Sequence, residues 1–325
     1  MEKFLLSAFT LFIAALTFAQ PSGSPVKKNG ELSVKDGRIV NQNGQPPQLR
    51  GVSLSWSLWA GKKYYNADVV NWLVKDFKIS LLRASMGVQP AGGYLQQPAE
   101  QKQIVIDVAD AAIKNGIYVL IDWHDHNSHL HTAEAKQFFA EMAKKYSGVP
   151  NVIYEIWNEP EKVSWDTVKA YALQVIPEIR RYDSKNLIIV GSPHWDQDVD
   201  IAAADPIKGF NNIAYSFHFY ASDKNHQEKL RARADKAMKM GLPLMVTEWG
   251  VGESNGNGQF SRSKTKLWMD WLNVNQLSWA NWNLTDKDET TALLEPVAPA
   301  TGGWTEEQLT YAGQYIRKAL RQLNK

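Results

Sequence analysis

Eight short apolar runs, each followed by a stretch with helical periodicity, most constrain what this chain can fold into. The runs are rich in β-branched and aromatic residues at successive positions, which is typical of strands buried on both faces. Such strands alternating with helices predict a parallel sheet covered by helices. The predicted strands are 49–54, 80–84, 118–122, 152–157, 187–190, 213–219, 244–247 and 278–281. The predicted helices are 67–77, 101–115, 133–146, 164–181, 227–240, 261–274 and a last one from Thr305, where Thr-Glu-Glu-Gln forms a capping box.

The number of strands and the length of the chain predict one (β/α)8 barrel of the α/β class. A doubly wound open sheet is the main alternative, but no glycine-rich phosphate-binding turn follows an early strand. Asp36-Gly37 and Asn43-Gly44 predict a small N-terminal β-hairpin before the barrel. We therefore expect a signal peptide at 1–19, a linker at 20–29 and a single catalytic domain at 30–325.

Residues 1–19 have the pattern of a secretory signal peptide. Lys3 gives a basic start, an apolar run extends from Phe4 to Phe18, and small residues precede a cleavage point near Ala19. A retained anchor helix is the alternative, although the run is short for a membrane span. We expect a secreted or periplasmic protein.

Composition excludes several classes of function. The chain has no cysteine, which excludes disulfides, thiol nucleophiles and thiolate metal sites. The net charge is +2, with basic and acidic residues interspersed, so nothing indicates a nucleic-acid partner. We expect a monomer with no membrane span in the mature chain.

Two of the predicted strands end in a glutamate that neighbours tryptophan. Glu159 closes the fourth strand in Trp-Asn-Glu-Pro, and Glu248 closes the seventh in Thr-Glu-Trp-Gly. A carboxylate at the end of an apolar strand costs free energy unless something uses it. The carboxyl ends of barrel strands meet on one face, where active sites lie. Two such carboxyl groups predict glycoside cleavage, in which one protonates the leaving oxygen and the other attacks or stabilises the anomeric carbon.

Polar or aromatic side chains lie at the ends of seven of the eight predicted strands. Besides the two glutamates, these residues are Arg83, His124, Asn158, Trp195, His218, Tyr220 and Trp282. A position at the active face of a barrel favours a functional interpretation of such residues.

Each side chain suits a role in this chemistry. Arg83 is expected to keep a neighbouring carboxylate ionised through a charge-assisted contact. His218 and Tyr220 are expected to hydrogen-bond the carboxylates or sugar hydroxyls. The amide of Asn158 can bond the hydroxyl beside the reacting carbon, and Trp282 offers a flat surface to a sugar ring.

Several neighbours are expected to be structural. Trp157 and Trp249 are assigned to core packing, and Asp122 and Glu155 to structural pairing or an inward position. A structural role is also the alternative for Arg83, as a member of an ion-pair network. For His124 and His218 the alternative is that they are hydrogen-bonded core residues.

Four histidines, at positions 124, 126, 129 and 131, lie within eight residues. Short His-rich tracts can bind metal ions. Their spacing gives no clear ligand geometry, so a polar loop that lines the cleft is the favoured interpretation. We expect neither a metal ion nor another cofactor.

Together these motifs resemble glycoside hydrolase family 5, and most of all its bacterial endo-β-1,4-glucanases (cellulases). The resemblance covers roughly residues 30–324. It is carried by Ile153–Pro160, Ser216–Tyr220, Val246–Gly250 and Ser278–Glu289, together with Arg83 and Ile121–His124.

The resemblance implies a role for each site residue. Glu159 would be the acid/base and Glu248 the nucleophile of a retaining mechanism with a covalent glycosyl-enzyme. The residues implied as sugar contacts on the non-reducing side are Trp59, Trp282, Lys287 and Glu289, and Trp195 is implied near the leaving-group side. The chain has Ser55 where many similar cellulases have a histidine.

For this mechanism we expect the two carboxyl groups to lie about 5–5.5 Å apart and the pKa of Glu159 to be raised. The expected partner is a β-1,4-glucan polysaccharide or oligosaccharide. A β-mannanase or mixed-linkage glucanase is an alternative on the same scaffold. A glycan-binding barrel without activity is the alternative from another class.

Overall fold

The computed structural model describes residues 20–325, so the predicted signal peptide lies outside the described residues. The segment expected to be a linker contains a short helix, α1 (Pro25–Asn29). The side chain of Ser24 accepts a hydrogen bond from the backbone N–H of Lys27, and Pro25 occupies the first turn, where its missing N–H costs nothing. Val26 of this helix is buried.

The predicted hairpin is confirmed. Strands β1 (Ser33–Lys35) and β2 (Arg38–Val40) pair antiparallel, with Ser33 opposite Val40. Asp36 and Gly37 join them with φ of 49° and 72°, the backbone that a two-residue hairpin turn requires.

The predicted (β/α)8 barrel is also confirmed. Eight parallel strands follow one another around a closed barrel, and β10 pairs with β3 to close it. Several strands extend beyond their predicted ends. The strands are β3 (Arg50–Leu54), β4 (Leu81–Gly87), β5 (Tyr118–His124), β6 (Val152–Glu155), β7 (Ile188–Val190), β8 (Ile213–Tyr220), β9 (Leu244–Gly250) and β10 (Trp279–Leu284).

Helices connect the strands, and most lie within a few residues of their predicted bounds. They are α2 (Trp59–Lys62), α3 (Ala67–Trp72), α4 (Pro98–Lys114), α5 (Thr132–Lys145), α6 (Trp165–Arg180), α7 (Pro193–Asp196), α8 (Val199–Ala204), α9 (Glu228–Lys239), α10 (Arg262–Val274) and α11 (Tyr311–Leu323). A π-helical turn, Leu73–Phe77, continues α3. No helix among residues 20–325 is long and apolar enough to cross a membrane.

The predicted start of the last helix was wrong. The capping box of Thr305 and Gln308 is present, but it caps a single 3₁₀ turn, Glu306–Gln308. Helix α11 begins after a second cap, Thr310, whose side chain accepts a hydrogen bond from the backbone N–H of Gly313 at 3.0 Å. The sequence therefore carries two start signals, and the later one begins the long helix.

The barrel interior changes from apolar to charged along the strands. Side chains two positions apart on a strand point to the same face. Leu81 and Tyr118 belong to a buried apolar cluster at the amino ends of the strands, and Val34 and Ile39 of the hairpin pack against it. One step further along β4 the interior residue is Arg83, so charge is concentrated towards the carboxyl ends.

Both ends of the described chain lie at the amino ends of the strands. The amide of Gln20 bonds that of Asn151, just before β6. Near the other end, Asn324 donates to the backbone carbonyls of Arg50 and Lys78, which lie at the start of β3 and just before β4. The carboxyl ends of the strands are thus left to the opposite face.

Candidate active site

The fully buried guanidinium group of Arg83 organises the charged end of the barrel. Its Nη1 donates to Glu248 Oε2 at 2.8 Å and its Nε donates to Glu155 Oε2 at 2.7 Å. Its Nη2 lies 2.6 Å from Asn158 Oδ1 and 2.9 Å from Asp122 Oδ2. Asp122 and Glu155 therefore pair structurally, as expected, and they hold Arg83 against the strand ends.

Glu248 receives a donor on each carboxylate oxygen. Arg83 bonds Oε2, and the Tyr220 hydroxyl donates to Oε1 at 2.7 Å. Burial and the negative charge of Glu159 raise the pKa of Glu248, although His218, Arg83 and Tyr220 favour the ionised form. The ionised carboxylate is thus held in one orientation by two donors.

Glu159 lies beside two imidazole rings. His218 Nδ1 is 3.0 Å from Glu159 Oε1, and His126 Nδ1 is 3.8 Å from Oε2. Burial raises the pKa of Glu159, but the hydrogen bond and charge of His218 outweigh burial and hold that pKa below its usual value. The expectation of a raised pKa for Glu159 was wrong: a hydrogen bond between His218 and a carboxylate was expected, but not that its effect would outweigh burial.

The two glutamates face each other at short range. One oxygen of Glu159, one oxygen of Glu248 and one ring nitrogen of His218 all lie within 4.8 Å of one another. A retaining pair of carboxyl groups is about 5–5.5 Å apart, whereas an inverting pair is about 6.5–9.5 Å apart. At least one pair of their oxygens is therefore closer than the spacing of an inverting pair.

His218 connects Glu159 to the barrel interior. Its Nε2 lies 2.7 Å from Thr247 Oγ1, 3.4 Å from Asp196 Oδ2 and 3.8 Å from Glu155 Oε1. Burial lowers the pKa of His218, but the carboxyl groups around the ring hold it well above its usual value. Each ring nitrogen of His218 thus has one oxygen at hydrogen-bond distance, from Glu159 and from Thr247.

His124 and Asn158 are two further buried polar residues at the carboxyl ends of the strands; together with Arg83, His218 and the carboxyl groups around them they form the polar floor of the site. His124 Nδ1 lies 2.6 Å from Asp122 Oδ2. Burial, followed by the charge of Arg83, keeps the pKa of His124 well below its usual value, so the ring is neutral. Asn158 accepts from Arg83 through Oδ1, and its buried Nδ2 has no partner in the part of the chain that the structure describes.

A cleft of about 920 Å³ opens above these residues. The five residues implied as sugar contacts line it: Trp59, Trp195, Trp282, Lys287 and Glu289. Trp59 is 67% exposed, whereas Trp282 is buried, with its ring parallel to that of His124 at a centroid distance of 5.2 Å. Lys287 Nζ lies 2.6 Å from Glu289 Oε2. A long cleft with aromatic faces and a paired charge suits an extended, polar, ring-containing ligand.

The model of the family Cellulase (glycosyl hydrolase family 5) matches residues 40–288, a range that includes both glutamates and Arg83. The chain belongs to glycosyl hydrolase family 5. It is therefore a glycoside hydrolase, and an interpretation as a glycan-binding barrel without activity is set aside.

Relatives and solved structures agree with this membership. Endoglucanase Z of Dickeya dadantii is 47% identical over 98% of this chain and 72% of its own length. Endoglucanase A of Evansella cellulosilytica is 42% identical over 98% of this chain and 67% of its own length. A Cytophaga hutchinsonii structure, 46% identical, covers 93% of this chain and 97% of its own with a TM-score of 0.90. The catalytic domain of endoglucanase Cel5A from Thermobifida fusca is 32% identical. The match covers 92% of this chain and 100% of that domain, with a TM-score of 0.87.

Sequence reasoning missed one aromatic residue in the cleft of this family 5 enzyme. The ring of Trp56 lies 4.2 Å from that of His124 and 5.7 Å from that of Trp59, measured between centroids. It follows Leu54, the last residue of β3, by two positions. The first strand was the one for which no end residue was named, so the rule applied to the other strands would have found Trp56. Ser55, beside it, also lines the cleft.

The His-rich tract is divided among separate contacts. His131 Nδ1 lies 2.8 Å from Asp125 Oδ2, and His129 stacks on Trp157 with a centroid distance of 5.4 Å. Only His124 and His126 of the tract line the cleft of the family 5 enzyme among the described residues. Trp157 and Trp249 are buried in the core, as expected.

Proposed function

We propose that this endo-1,4-β-glucanase hydrolyses internal β-1,4-glucosidic bonds of cellulose and related β-glucans by double displacement. Glu159 is the acid/base and Glu248 is the nucleophile. The observation that carries the proposal is the short distance between two glutamates in different settings. Glu248 is oriented by a guanidinium and a phenol, and Glu159 is bonded to an imidazole that can supply a proton.

In the first step a Glu248 oxygen bonds the anomeric carbon as the glycosidic bond breaks, and Glu159 gives its proton to the departing oxygen. In the second step water attacks the same carbon, Glu248 leaves, and Glu159 takes the proton from water. The lowered pKa of Glu159 is compatible with this cycle, because His218 Nδ1 lies 3.0 Å away, so a proton on the ring can pass to Glu159.

The cleft supports binding of a glucan chain rather than of a single sugar. Trp59 and Trp282 offer stacking faces on the proposed non-reducing side, with Lys287 and Glu289 as hydrogen-bonding groups, and Trp195 lies on the proposed leaving-group side. A variant of the Thermobifida fusca domain has been solved with cellotetraose. An open cleft that binds several sugar units permits cleavage within a chain.

Export is part of the same proposal. A polymer such as cellulose has to be cleaved outside the cell, and residues 1–19 have the pattern of a signal peptide. N-terminal sequencing of protein recovered from the medium or periplasm is expected to begin near Gln20. Recovery of an uncleaved chain would contradict this part.

Replacing Glu159 by glutamine tests the central assignment. The amide cannot give a proton to the leaving oxygen, so hydrolysis of cellohexaose is expected to slow roughly 10²–10⁴-fold or more. Binding of cellohexaose, followed by calorimetry, should persist. Glu178→Gln on α6, a half-buried residue that pairs with Lys136 and does not line the cleft, is the matched control and should hydrolyse at the wild-type rate. Wild-type turnover in E159Q would remove Glu159 from the mechanism.

Product analysis defines stereochemistry and substrate. Proton magnetic resonance of the first products should show the β-anomer, as retention requires. Parallel assays on carboxymethyl-cellulose, barley β-glucan and mannan should give the highest rate on a glucan. A first product with the α-configuration would overturn double displacement, and a higher rate on mannan would replace the proposed substrate.

A further inference from the structure

The loop after β7, which contains the single turn α7, places two adjacent side chains in different environments. The backbone of that turn is left-handed, not right-handed α-helical. His194, Trp195 and Asp196 have φ of 54°, 54° and 59°, a left-handed backbone that is strained for residues other than glycine. Backbone N–H groups of His194 and Trp195 donate to the carbonyls of Glu161 and Pro160, both at 2.8 Å. This anchors the loop to the segment that follows Glu159. As a result Trp195 lines the cleft, whereas Asp196 is fully buried.

One oxygen of the Asp196 carboxyl group lacks a conventional partner. Oδ1 accepts a hydrogen bond from the backbone N–H of Ser192 at 2.5 Å. Oδ2 is buried, makes no hydrogen bond to any described residue, and lies 3.4 Å from His218 Nε2. Burial raises the pKa of Asp196 well above its usual value. A buried carboxyl oxygen without a partner is unfavourable, so its position beside the imidazole calls for an explanation.

His218 lies between this carboxyl group and Glu159. Its Nδ1 faces Glu159 Oε1 at 3.0 Å, and its Nε2 faces Asp196 and Thr247. Burial lowers the pKa of His218. Among the neighbouring charges that raise this pKa, that of Asp196 has the largest effect. The charged and titratable groups around this ring and around Asp196 are Arg83, Asp122, His124, His126, Glu155, Glu159 and Glu248.

We propose that Asp196 is a positioning residue for the acid/base step, which acts on Glu159 through the imidazole of His218. This inference rests on the proposed role of Glu159. Burial delays the ionisation of Asp196 and the charge of His218 favours it, so the carboxylate is present towards the alkaline end of the profile. There its negative charge stabilises the proton that His218 Nδ1 and Glu159 Oε1 share, so the pair keeps that proton to higher pH. When the glycosidic oxygen takes the proton from Glu159, the ring is left neutral with Nε2–H facing Thr247 and Asp196. Water returns one proton to the pair in the second step.

The test is the pH profile of kcat/KM for Asp196→Asn. Without the carboxylate the pair should lose its proton at lower pH, so the alkaline limb moves towards neutrality. The ratio of wild-type to variant kcat/KM should be about tenfold larger on the alkaline limb than on the plateau. A shift of this size is expected from the loss of one nearby charge. The control is Ser192→Ala. This change keeps the backbone N–H that donates a hydrogen bond to Asp196, and it removes a hydroxyl that bonds no residue in the range 20–325. Its limb should coincide with that of wild type.

A uniform loss of activity in D196N with an unmoved alkaline limb would reduce Asp196 to a structural role and overturn the proposal. If D196N does not fold, Asp196→Ser removes the same charge with a smaller side chain, and the same outcomes apply to it.

A second measurement separates this inference from the proposed function. In protein with ¹⁵N-labelled histidine, the His218 ring, identified by its loss in His218→Gln, should lose its proton at lower pH in D196N than in wild type. Because no substrate is present, the result does not depend on activity. An unchanged His218 titration overturns the role of Asp196, whereas wild-type enzyme that is inactive on every glucan overturns the proposed function.

Discussion

At the scale of single residues, Arg83 shows how the site can hold several carboxyl groups in a small volume. Its planar group contacts Asp122, Glu155 and Glu248 and also the amide oxygen of Asn158. Lysine could not reproduce this, because it lacks the fixed fork of donors. The approach of two carboxylates to each other depends on this one cation and on the imidazole of His218.

Tyr220→Phe tests how Glu248, the proposed nucleophile, is supported. The Tyr220 hydroxyl favours the ionised form of Glu248, so its removal should raise the pKa of Glu248 further. A carboxylate with a higher pKa is protonated earlier on acidification, so the acid limb of kcat/KM should move to higher pH. A hydrogen bond to a charged group contributes about 1.5–3 kcal/mol, which predicts a loss of roughly tenfold or more at low pH. Tyr182→Phe, far from the cleft, should keep the wild-type limb, and an unmoved limb in Y220F would contradict this role.

The sequence predicted these residues to different degrees. Glu159 and Glu248 were recognisable because each closes an apolar run, where an ionised group stands out. Asp196 was not, because its position depends on three consecutive left-handed residues without glycine, which no local pattern indicates. The pKa of Glu159 was missed for a related reason: it is determined by His218, which is distant in sequence.

At the scale of elements, side chains alternate between the two faces of each strand, and this alternation explains why charged residues collect inside the barrel at the carboxyl ends of the strands. On β5 and β6 the interior side changes from Leu120 to Asp122 and from Ile153 to Glu155 within two residues. Burial on both faces concealed this change in the sequence, since interior and exterior positions are both apolar along most of each strand. The helices were easier to predict because their polar faces meet solvent.

The two caps near the C-terminus offer a matched comparison. Thr310→Ala removes the cap of α11 and should lower the free energy of unfolding by about 1 kcal/mol. Thr305→Ala affects only the 3₁₀ turn and should lower it less. Urea unfolding followed by circular dichroism measures both. A larger loss in T305A would mean that the first cap, as the sequence indicated, governs the helix.

At the scale of the whole molecule, the alternation of strands and helices was enough to predict a barrel, and eight strands gave its size. The pattern could not give the register between strands, which determines where distant residues meet. Gly51 on β3 shows such a constraint, because a Cβ there would lie 1.6 Å from the backbone oxygen of Leu81 on β4. The close approach of β3 and β4 at this point therefore depends on a missing side chain.

Gly51→Ala should consequently destabilise the barrel by more than the ~1–3 kcal/mol of ordinary overpacking, since backbone has to move. Gly148→Ala is the control: its φ is +72° but its surroundings are open, so a cost of about 1–2 kcal/mol from backbone strain alone is expected. Thermal unfolding by calorimetry compares the two. Equal losses would show that strand spacing adjusts freely at this position.

The described chain begins and finishes on the side opposite the catalytic face, with Gln20 beside Asn151 and Asn324 beside Arg50. A tether to a resin or a fused cargo protein joined through Lys325 would therefore leave the entrance for polymer unobstructed.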